Sequence, residues 1–549
     1  MWKPMNFKKY MISRKYRYVF ILWAITTIAP SLLAETKLVM NTDLLTTPER
    51  TQYQRTSTHA EVLSVVDALS QSEWVHRETL LTTLDGKDVP LLVLADPPIQ
   101  TPEQARASGK AIIYIQGNIH GGEVEGKEAS LMLMREIVLG EKAHLLQNQV
   151  LLFVPIFNAD GNDRMTEDNR PNQDGSPKLA GERHTHGKDL NRDGIALETV
   201  ENRALFTNLF NRWDPDVFID LHTTNGTWHG YELTYAPSYQ TAGDASTSEF
   251  ITKQLFPAVT QTMQSKYGIN ISWFGDFDAR TWPIKEFRTY HHAPRYITNQ
   301  MGLRNRMAIL SETFSHLPFY QRIRVAKAFV EEILLFTNNN AATIRAINTD
   351  ADAKVVQTMK NAAGQLQKGV RYNMAPLDEP LSLRTYTHTL IKNEQGQTEA
   401  IRGADIVILE GVKNYNQFTA SRLAKVPTAY VIAQQFTDVV ENLRLHGIQV
   451  QILNKDVTFA GETFTVTERN VQSYQLNDHA NVVLEGQFSQ AEKYFRKGDF
   501  IVPMDQPLAN LAFYLLEPES DDGLAFWNFF DSYFDKSGTN EYPVFKIVK

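Results

Sequence analysis

The sequence predicts an α/β fold built on a parallel sheet, with a smaller mixed or β-rich region after it. Three stretches predict it. The run "AIIYIQG" is apolar and rich in β-branched residues, as a strand buried on both faces is. It leads into "EGKEASLMLMREIVLG", whose apolar residues recur at helical spacing up to a stop at Gly140. "QNQVLLFVPIFN" then reads as a second buried strand. Strand, helix and strand in that order make a parallel pair, because the chain needs a crossover to return to the same edge.

The remaining elements follow in chain order. Lys8, Lys9, Arg14, Lys15 and Arg17 precede the apolar run "VFILWAITTIAPSLLA". A basic start, an apolar middle and a small residue at the end describe a secretory signal over residues 1–34. Pro30 interrupts the run, which argues against the alternative of a lasting membrane anchor. Residues 57–110 show an amphipathic helix and then "LLTTLDGKDVPLLVLADP", two apolar runs around Asp85-Gly86 that signal a hairpin. "DVFIDLH" and "RMAILSE" are short apolar runs that end in polar groups. A helix at about 318–338 closes a first domain, residues 35–340.

Residues 341–375 are polar and helical in pattern and serve as a connector. The C-terminal domain, residues 376–549, has strand candidates in "ADIVILEG", "TAYVIAQQ", "IQVQILN" and "GDFIVPM", and a helix in "FTDVVENLRLHG" that stops at Gly447. Its aromatic cluster "LAFWNFFDSYF" reads as core or interdomain packing, and "LLEPESDDG" as a solvated turn with a calcium loop as the alternative. No residue cluster there carries an evident chemistry.

Composition narrows the function. A chain of 549 residues exceeds one ordinary core, hence the division into domains. A net charge of −8 is mild for that length and gives no reason to expect a nucleic-acid partner. There is no cysteine. Disulfides, thiolate metal sites and cysteine nucleophiles are excluded, and any metal must be held by His, Asp or Glu. An exported, cysteine-free chain suits a bacterial periplasm.

The chemistry concentrates at strand ends. In "YIQGNIHGGEVEG", His120 and Glu123 flank two glycines at the carboxyl end of a buried strand. Open α/β sheets bind ligands there, and the glycines allow the backbone to turn both side chains to one point. A catalytic zinc takes three protein ligands and keeps one position open. His222, at the end of "VFIDLH", supplies a third, and Asp220 lies on the same strand face behind it. "GKDLNRDG" adds Asp189, Asn191 and Arg192, and an arginine forks a carboxylate. Glu312 ends "AILSE", where a carboxylate is costly unless it is used or paired. Taken singly each has a plainer reading: a chance pair, a core histidine, a surface turn, a salt-bridged strand end.

In sequence order, His120-Gly-Gly-Glu123, Asn158-Ala-Asp-Gly161, Asp189-Leu-Asn191-Arg192, His222 and Glu312 resemble the zinc metallocarboxypeptidases of the carboxypeptidase A type. The resemblance spans about residues 57–340. It implies a three-layer α/β sandwich with a mixed, mainly parallel eight-stranded sheet. It implies one Zn²⁺ per chain on His120, Glu123 and His222, the His₂Glu set that carboxypeptidase A uses. Asp189 would orient the first histidine, Asn191 and Arg192 would grip the substrate's terminal carboxylate, and Glu312 would be the general acid/base. An arginine between N-x-D-G and D-x-N-R polarises the scissile carbonyl in that family. Arg164, Arg170 and Arg183 lie in that stretch, and Arg170 is the choice made here. Tyr231, Tyr290 and Tyr296 are candidates for the capping tyrosine, and spacing does not decide among them.

The implied activity is hydrolysis of the C-terminal peptide bond of a peptide with a free C-terminus. The alternative is a zinc amidohydrolase acting on cell-wall peptides or N-acyl amino acids. A binding or scaffold protein with a degenerate site is the reading from another class, and the complete set of ligands and base speaks against it. The basic stretch "HHAPRYITNQMGLRNR" before Glu312 reads as a solvated loop, or as a preference for acidic side chains. His184 and His186 in "RHTHG" read as an exposed loop rather than a second metal site. Oligomeric state and side-chain specificity are not written in the sequence.

Overall fold

The computed structural model describes residues 44–548. The proposed signal segment, residues 1–34, lies outside the described residues. Nine strands come first in chain order: β1 (Val75–Thr82), β2 (Asp88–Leu94), β3 (Ala111–Gly117), β4 (Gln149–Val154), β5 (Val217–Thr223), β6 (Leu233–Pro237), β7 (Ile271–Trp273), β8 (Glu286–Arg288) and β9 (Met307–Thr313). All except β8 form one eight-stranded sheet in the order β1-β2-β4-β3-β5-β9-β6-β7. The pairings of β3 with β4, β3 with β5, β5 with β9 and β6 with β7 are parallel. Those of β1 with β2, β2 with β4 and β6 with β9 are antiparallel. This is the mixed, mainly parallel sheet the resemblance implies, with the Asp85-Gly86 hairpin at its edge.

The sheet has helices on both faces. Tyr114 pairs with Phe218 across β3 and β5, so both rings point to one face. They stack on each other and meet Phe210 of the helical segment 200–213. Asp220 and His222 continue that face at the carboxyl end of β5. Leu221 points the other way, against Gly126 of helix Glu125–Val138. That helix packs in turn on helix Phe319–Asn339. Helix Glu125–Val138 is buried nearly all round despite its charged residues, because each has a partner. Glu128 accepts from Thr56 and Ser57, and Lys127 donates to Ser57 and Asn162.

The rest of the chain is β-rich. A long antiparallel hairpin, Leu381–Lys392 with Thr398–Tyr415, carries β8 along its edge. Strand Gln367–Ala375 pairs with Gln417–Lys425. A six-stranded antiparallel sheet places Val544–Ile547 between Ala429–Ile432 and Val457–Val471. The stretch 341–375 is helical only from Ala341 to Ala362. Gly364, at φ +88°, ends the helix, and the alternating Val370 and Tyr372 then form a strand. The helix joins two apolar cores: Ala341 and Ile344 lie in the one around the eight-stranded sheet, Val355 and Met359 in the other. Residues 41–549 thereby group as one compact unit.

"LLEPESDDG" departs from its expected solvated turn. Glu517, Glu519 and Asp522 are buried. Glu517 pairs with Lys546 at 2.8 Å and Glu519 with Arg422 at 2.6 Å. Asp522 accepts from the Arg295 guanidinium at 2.7 Å and from the Trp527 indole at 3.1 Å. The aromatic residues beside it, Phe526, Trp527, Phe530 and Phe534, are buried in the second core. Among the described residues no helix is long and apolar enough to cross a membrane.

Two buried histidines set an acid limit. Burial pushes His229 and His446 down to about 3, so both are neutral in the folded protein at neutral pH. The unfolded chain takes up those protons near pH 6.5, so stability is full above that value and is lost as pH falls from it toward 3. Each histidine is expected to contribute a slope of about 1.4 kcal/mol per pH unit in that window. Denaturant titrations at pH 7.5 and 5.5 check this, and His446→Gln should flatten the difference.

Candidate active site

Three side chains converge at the carboxyl ends of β3 and β5. His120 Nδ1 faces Glu123 Oε1 at 2.9 Å, and His222 Nδ1 faces Glu123 Oε2 at 2.9 Å. One ligand atom from each lies within 4.8 Å of the others, and all three residues are buried. The Thr223 backbone N–H donates to the same Glu123 carboxylate at 3.1 Å. Behind each imidazole stands a carboxylate. His120 Nε2 is 3.1 Å from Asp189 Oδ1, and His222 Nε2 is 2.9 Å from Asp220 Oδ2. Asp220 is itself held by the Gln116 amide at 3.2 Å. Two imidazoles and a carboxylate, with carboxylates fixing the far ring nitrogens, are a donor set that fits Zn²⁺.

Local packing fixes the first two ligands. The chain turns at Asn118, which sits at φ +66°, and its amide donates to the carbonyls of His120, Gly121 and Glu123. The expectation that Gly121 and Gly122 supply the turn is corrected here: neither is in the left-handed region. Gly121 is needed for close approach. A Cβ there would lie 2.4 Å from the Glu182 carbonyl oxygen and 2.5 Å from the Gly161 carbonyl carbon. Asn158 of the same N-x-D-G motif donates to the carbonyls of Ile119 and Arg183, at 3.2 Å each, and so ties the His120 loop to the arginine loop.

Glu312, Arg170, Asn191 and Arg192 line the same cavity of about 150 Å³, and Asp189 stands behind it. Glu312 pairs with His222 across β5 and β9, so parallel register alone puts them side by side. Burial, with the charge of Glu123, pushes its carboxyl up to about 8 against the pull of His222, Arg170 and Arg183. Asp189 caps the turn Leu190–Arg192, accepting from the Asn191 N–H at 2.9 Å. Asn191 Oδ1 accepts from the Ile297 N–H at 3.1 Å. The Arg192 guanidinium lies 4.3 Å over the ring of Tyr296.

The structure brings two of the three candidate arginines to the cavity. Arg170 donates to Glu123 at 3.1 Å and to the carbonyls of Thr223 and Thr224. Arg183 donates to Asp189 through Nε and Nη2, with its Nη1 3.9 Å from Glu123. Arg164 lies elsewhere, bonded to Asp85. Of the tyrosines, Tyr290 and Tyr296 line the cavity, while Tyr231 bonds to the hairpin at Ser382 and Arg384. Phe274, Thr298 and Leu310 also line it and were not picked from the sequence. Leu310 was within reach, because it sits two residues before Glu312 on the same strand face.

Two loop readings change. The basic stretch before Glu312 is not a solvated loop, and its charge does not face a substrate. His292, Arg295 and Arg304 are buried. His292 meets Asp521 at 3.2 Å, Arg295 pairs with Asp522, and Arg304 donates to the His446 carbonyl at 2.8 Å. Asp521 and Asp522 of the distant region thus meet His292 and Arg295, while Arg306 pairs with Asp214 and Asp352. His186 is exposed as expected, but it is not a free side chain: its Nε2 is 3.2 Å from the buried Asp160 and 3.3 Å from Asp85. Lys87 and Arg164 already balance those acids.

Gly121→Ala tests how closely the ligand loop is packed. Backbone atoms, not a movable side chain, would meet the new methyl group. The variant is expected to lose about 1–3 kcal/mol of stability and most of its bound zinc, read by thermal unfolding and by metal analysis of the purified protein.

Comparison with known proteins agrees with this geometry. Residues 62–277 match the family model described as zinc carboxypeptidase. Carboxypeptidase 2 of Trichophyton rubrum is 21% identical over 495 residues, which cover 87% of this chain and 84% of that protein. Carboxypeptidase 2 of Trichophyton tonsurans is 22% identical over 496 residues, with the same coverage of 87% and 84%. Among solved structures, a metallo-carboxypeptidase from Burkholderia cenocepacia aligns with a TM-score of 0.38 and 17% identity over 52% of this chain and 69% of its own. Bovine thrombin-activatable fibrinolysis inhibitor aligns with a TM-score of 0.37 and 13% identity over 53% of this chain and 99% of its own. The matched residues hold the complete His120–Glu123–His222 cluster and the D-x-N-R turn; Glu312 lies beyond them. The metal cluster thus lies within the residues that match the zinc carboxypeptidase model, and donor set and similarity together support zinc-dependent metallocarboxypeptidase activity.

Proposed function

We propose that the enzyme removes the C-terminal residue from peptides that end in a free carboxylate, with Glu312 as its general acid/base. One observation carries this reading: Glu312, the Asn191–Arg192 pair and the His120–Glu123–His222 cluster line a single cavity. When bound, Zn²⁺ supplies a water that is nucleophilic near neutral pH and polarises a carbonyl. His120, Glu123 and His222 would hold the metal, with Asp189 and Asp220 beside the Nε2 atoms of the two rings. Glu312 takes a proton from the attacking water and returns it to the leaving amine. Burial raises its carboxyl, which suits it to carry a proton, and a dication beside it would draw the value back down.

Arg192 and Asn191 supply a charge and an amide for the substrate's terminal carboxylate. Arg170, bonded to Glu123 at the cavity wall, supplies positive charge for the oxygen that becomes negative in the transition state. The N-terminal residues 1–34 support export, and a periplasmic or secreted setting would make short wall peptides or protein tails the natural substrates.

The test is a substrate panel. Peptides with a free C-terminus should be cleaved, and C-terminally amidated peptides and N-acyl amino acids should not. Retained cleavage of amidated peptides would move the assignment to the zinc amidohydrolases. Glu312→Gln is expected to lower kcat by about 10²–10⁴ while keeping about one zinc per chain. Arg192→Ala is expected to raise KM by about 10- to 100-fold, the cost of a lost charge-assisted pair, with a smaller effect on kcat.

A further inference from the structure

The turn Leu476–His479 belongs to the region that carries no evident chemistry, yet its tip reaches the metal cluster's support. Asn477 Oδ1 accepts from the Asp189 backbone N–H at 2.8 Å, and Asn477 Nδ2 donates to the Asp189 backbone carbonyl at 3.1 Å. One side-chain amide thus pairs with both backbone groups of one residue, as a neighbouring strand would. Two-point pairing fixes orientation as well as distance. The backbone at the tip is shaped for it. Asn477 and Asp478 sit at φ +48° and +69°, a left-handed pair without glycine, closed by the bridge of Leu476 to His479. Asparagine tolerates that region better than most residues.

Around the tip the two regions are fastened further. Lys188 donates to the Asn477 carbonyl at 2.6 Å and lies 3.4 Å from Asp478. His479 Nε2 is 2.9 Å from Glu198, and its Nδ1 is 2.9 Å from Asn528. None of these contacts touches Asp189. Only Asn477 does, and Asp189 is the residue whose side chain meets His120 and caps the turn that presents Asn191 and Arg192.

We propose that Asn477 is a positioning residue for the peptidase site: by clamping the Asp189 backbone it sets the Asp189 carboxylate against His120 and the Asn191–Arg192 turn against the substrate. The proposal rests on the zinc reading above. It assigns the C-terminal region a part in catalysis that is delivered through one amide rather than through the cavity wall.

Asn477→Gly is the incisive variant, because glycine keeps the left-handed turn and removes both hydrogen bonds. Zinc affinity of the metal-free protein, measured by competition with a chelator, is expected to fall about tenfold. KM for a free-carboxylate peptide should rise several-fold, and more than kcat falls. Asn477→Asp, which keeps the acceptor and the turn but loses the donor, should fall between. His479→Ala loosens the same turn without touching Asp189, and should leave zinc affinity within about twofold of the parent. Unchanged zinc affinity and KM in Asn477→Gly would overturn the proposal, as would equal losses in Asn477→Gly and His479→Ala. If the parent itself binds no zinc, the metal reading fails. The imidazole ¹⁵N signals of the metal-free chain then still judge Asn477, since loss of the clamp should shift the His120 tautomer balance.

Discussion

A buried negative charge organises this molecule. Glu123 is 3% exposed, and a carboxylate removed that far from water is stable only among charges and donors that replace its hydration. Two imidazoles, one backbone N–H and an arginine surround it. The imidazoles in turn need something at their far nitrogens, and Asp189 and Asp220 stand there. Those acids add charge of their own. Around the cavity, Glu123, Asp189, Asp220 and Glu312 face Arg170, Arg183 and Arg192. With neutral imidazoles, Glu123, Asp189 and Asp220 balance the three arginines, and Glu312, pushed up to about 8, adds a negative charge when it ionises. A dication turns the balance positive, and a substrate carboxylate then completes it. The same arrangement that makes the metal welcome therefore makes an anionic chain end welcome after it.

The fold delivers these groups with little freedom. Parallel register sets Glu312 beside His222, and period two along β5 sets Asp220 behind it. The loop after β3 is tied by the amides of Asn118 and Asn158 and by backbone crossing at Gly121, so His120 and Glu123 cannot drift apart. The region beyond residue 375 adds three supports from outside. Asn477 holds Asp189, Asp522 holds Arg295 next to Tyr296, and the hairpin 381–415 pairs with β8 and bonds through Arg384 and Tyr386 to Gly230 and Trp228. The catalytic sheet is thus incomplete as a working unit at residue 340.

How much of this was legible depended on range along the chain. Buried strands announce themselves by apolar runs, and polar residues at their ends stand out against them, so His120, Glu123, His222 and Glu312 could all be picked. Asp189, Asn191 and Arg192 are close in sequence and carry their own pattern. Other features were written in pairs that no local pattern joins. His292 and Arg295 of the basic stretch and Asp521 and Asp522 of the acidic one each looked solvated, because each lacks its partner until folding brings them together. Asn477 stands in no local pattern that sets it apart. Gly121 was read as a hinge because sequence shows a missing side chain but not the backbone that passes through the space. Arg170 and Arg183 remain hard to rank, since the cavity holds both.

The placement of Val544–Ile547 inside the six-stranded sheet bears on how the protein comes into being. That strand lies between two partners that precede it by roughly 75 to 115 residues, and a sheet with an empty middle position has two open edges instead of a closed ladder. During synthesis the eight-stranded sheet has all its strands once residue 313 has emerged, long before this one does. The turn that grips Asp189 grows from the strand pair next to the gap. A nascent or truncated chain can thus collapse around its first core while the clamp on its metal cluster is still unanchored. On the proposal made for Asn477, the clamp on Asp189 is anchored only once this last strand has closed the ladder.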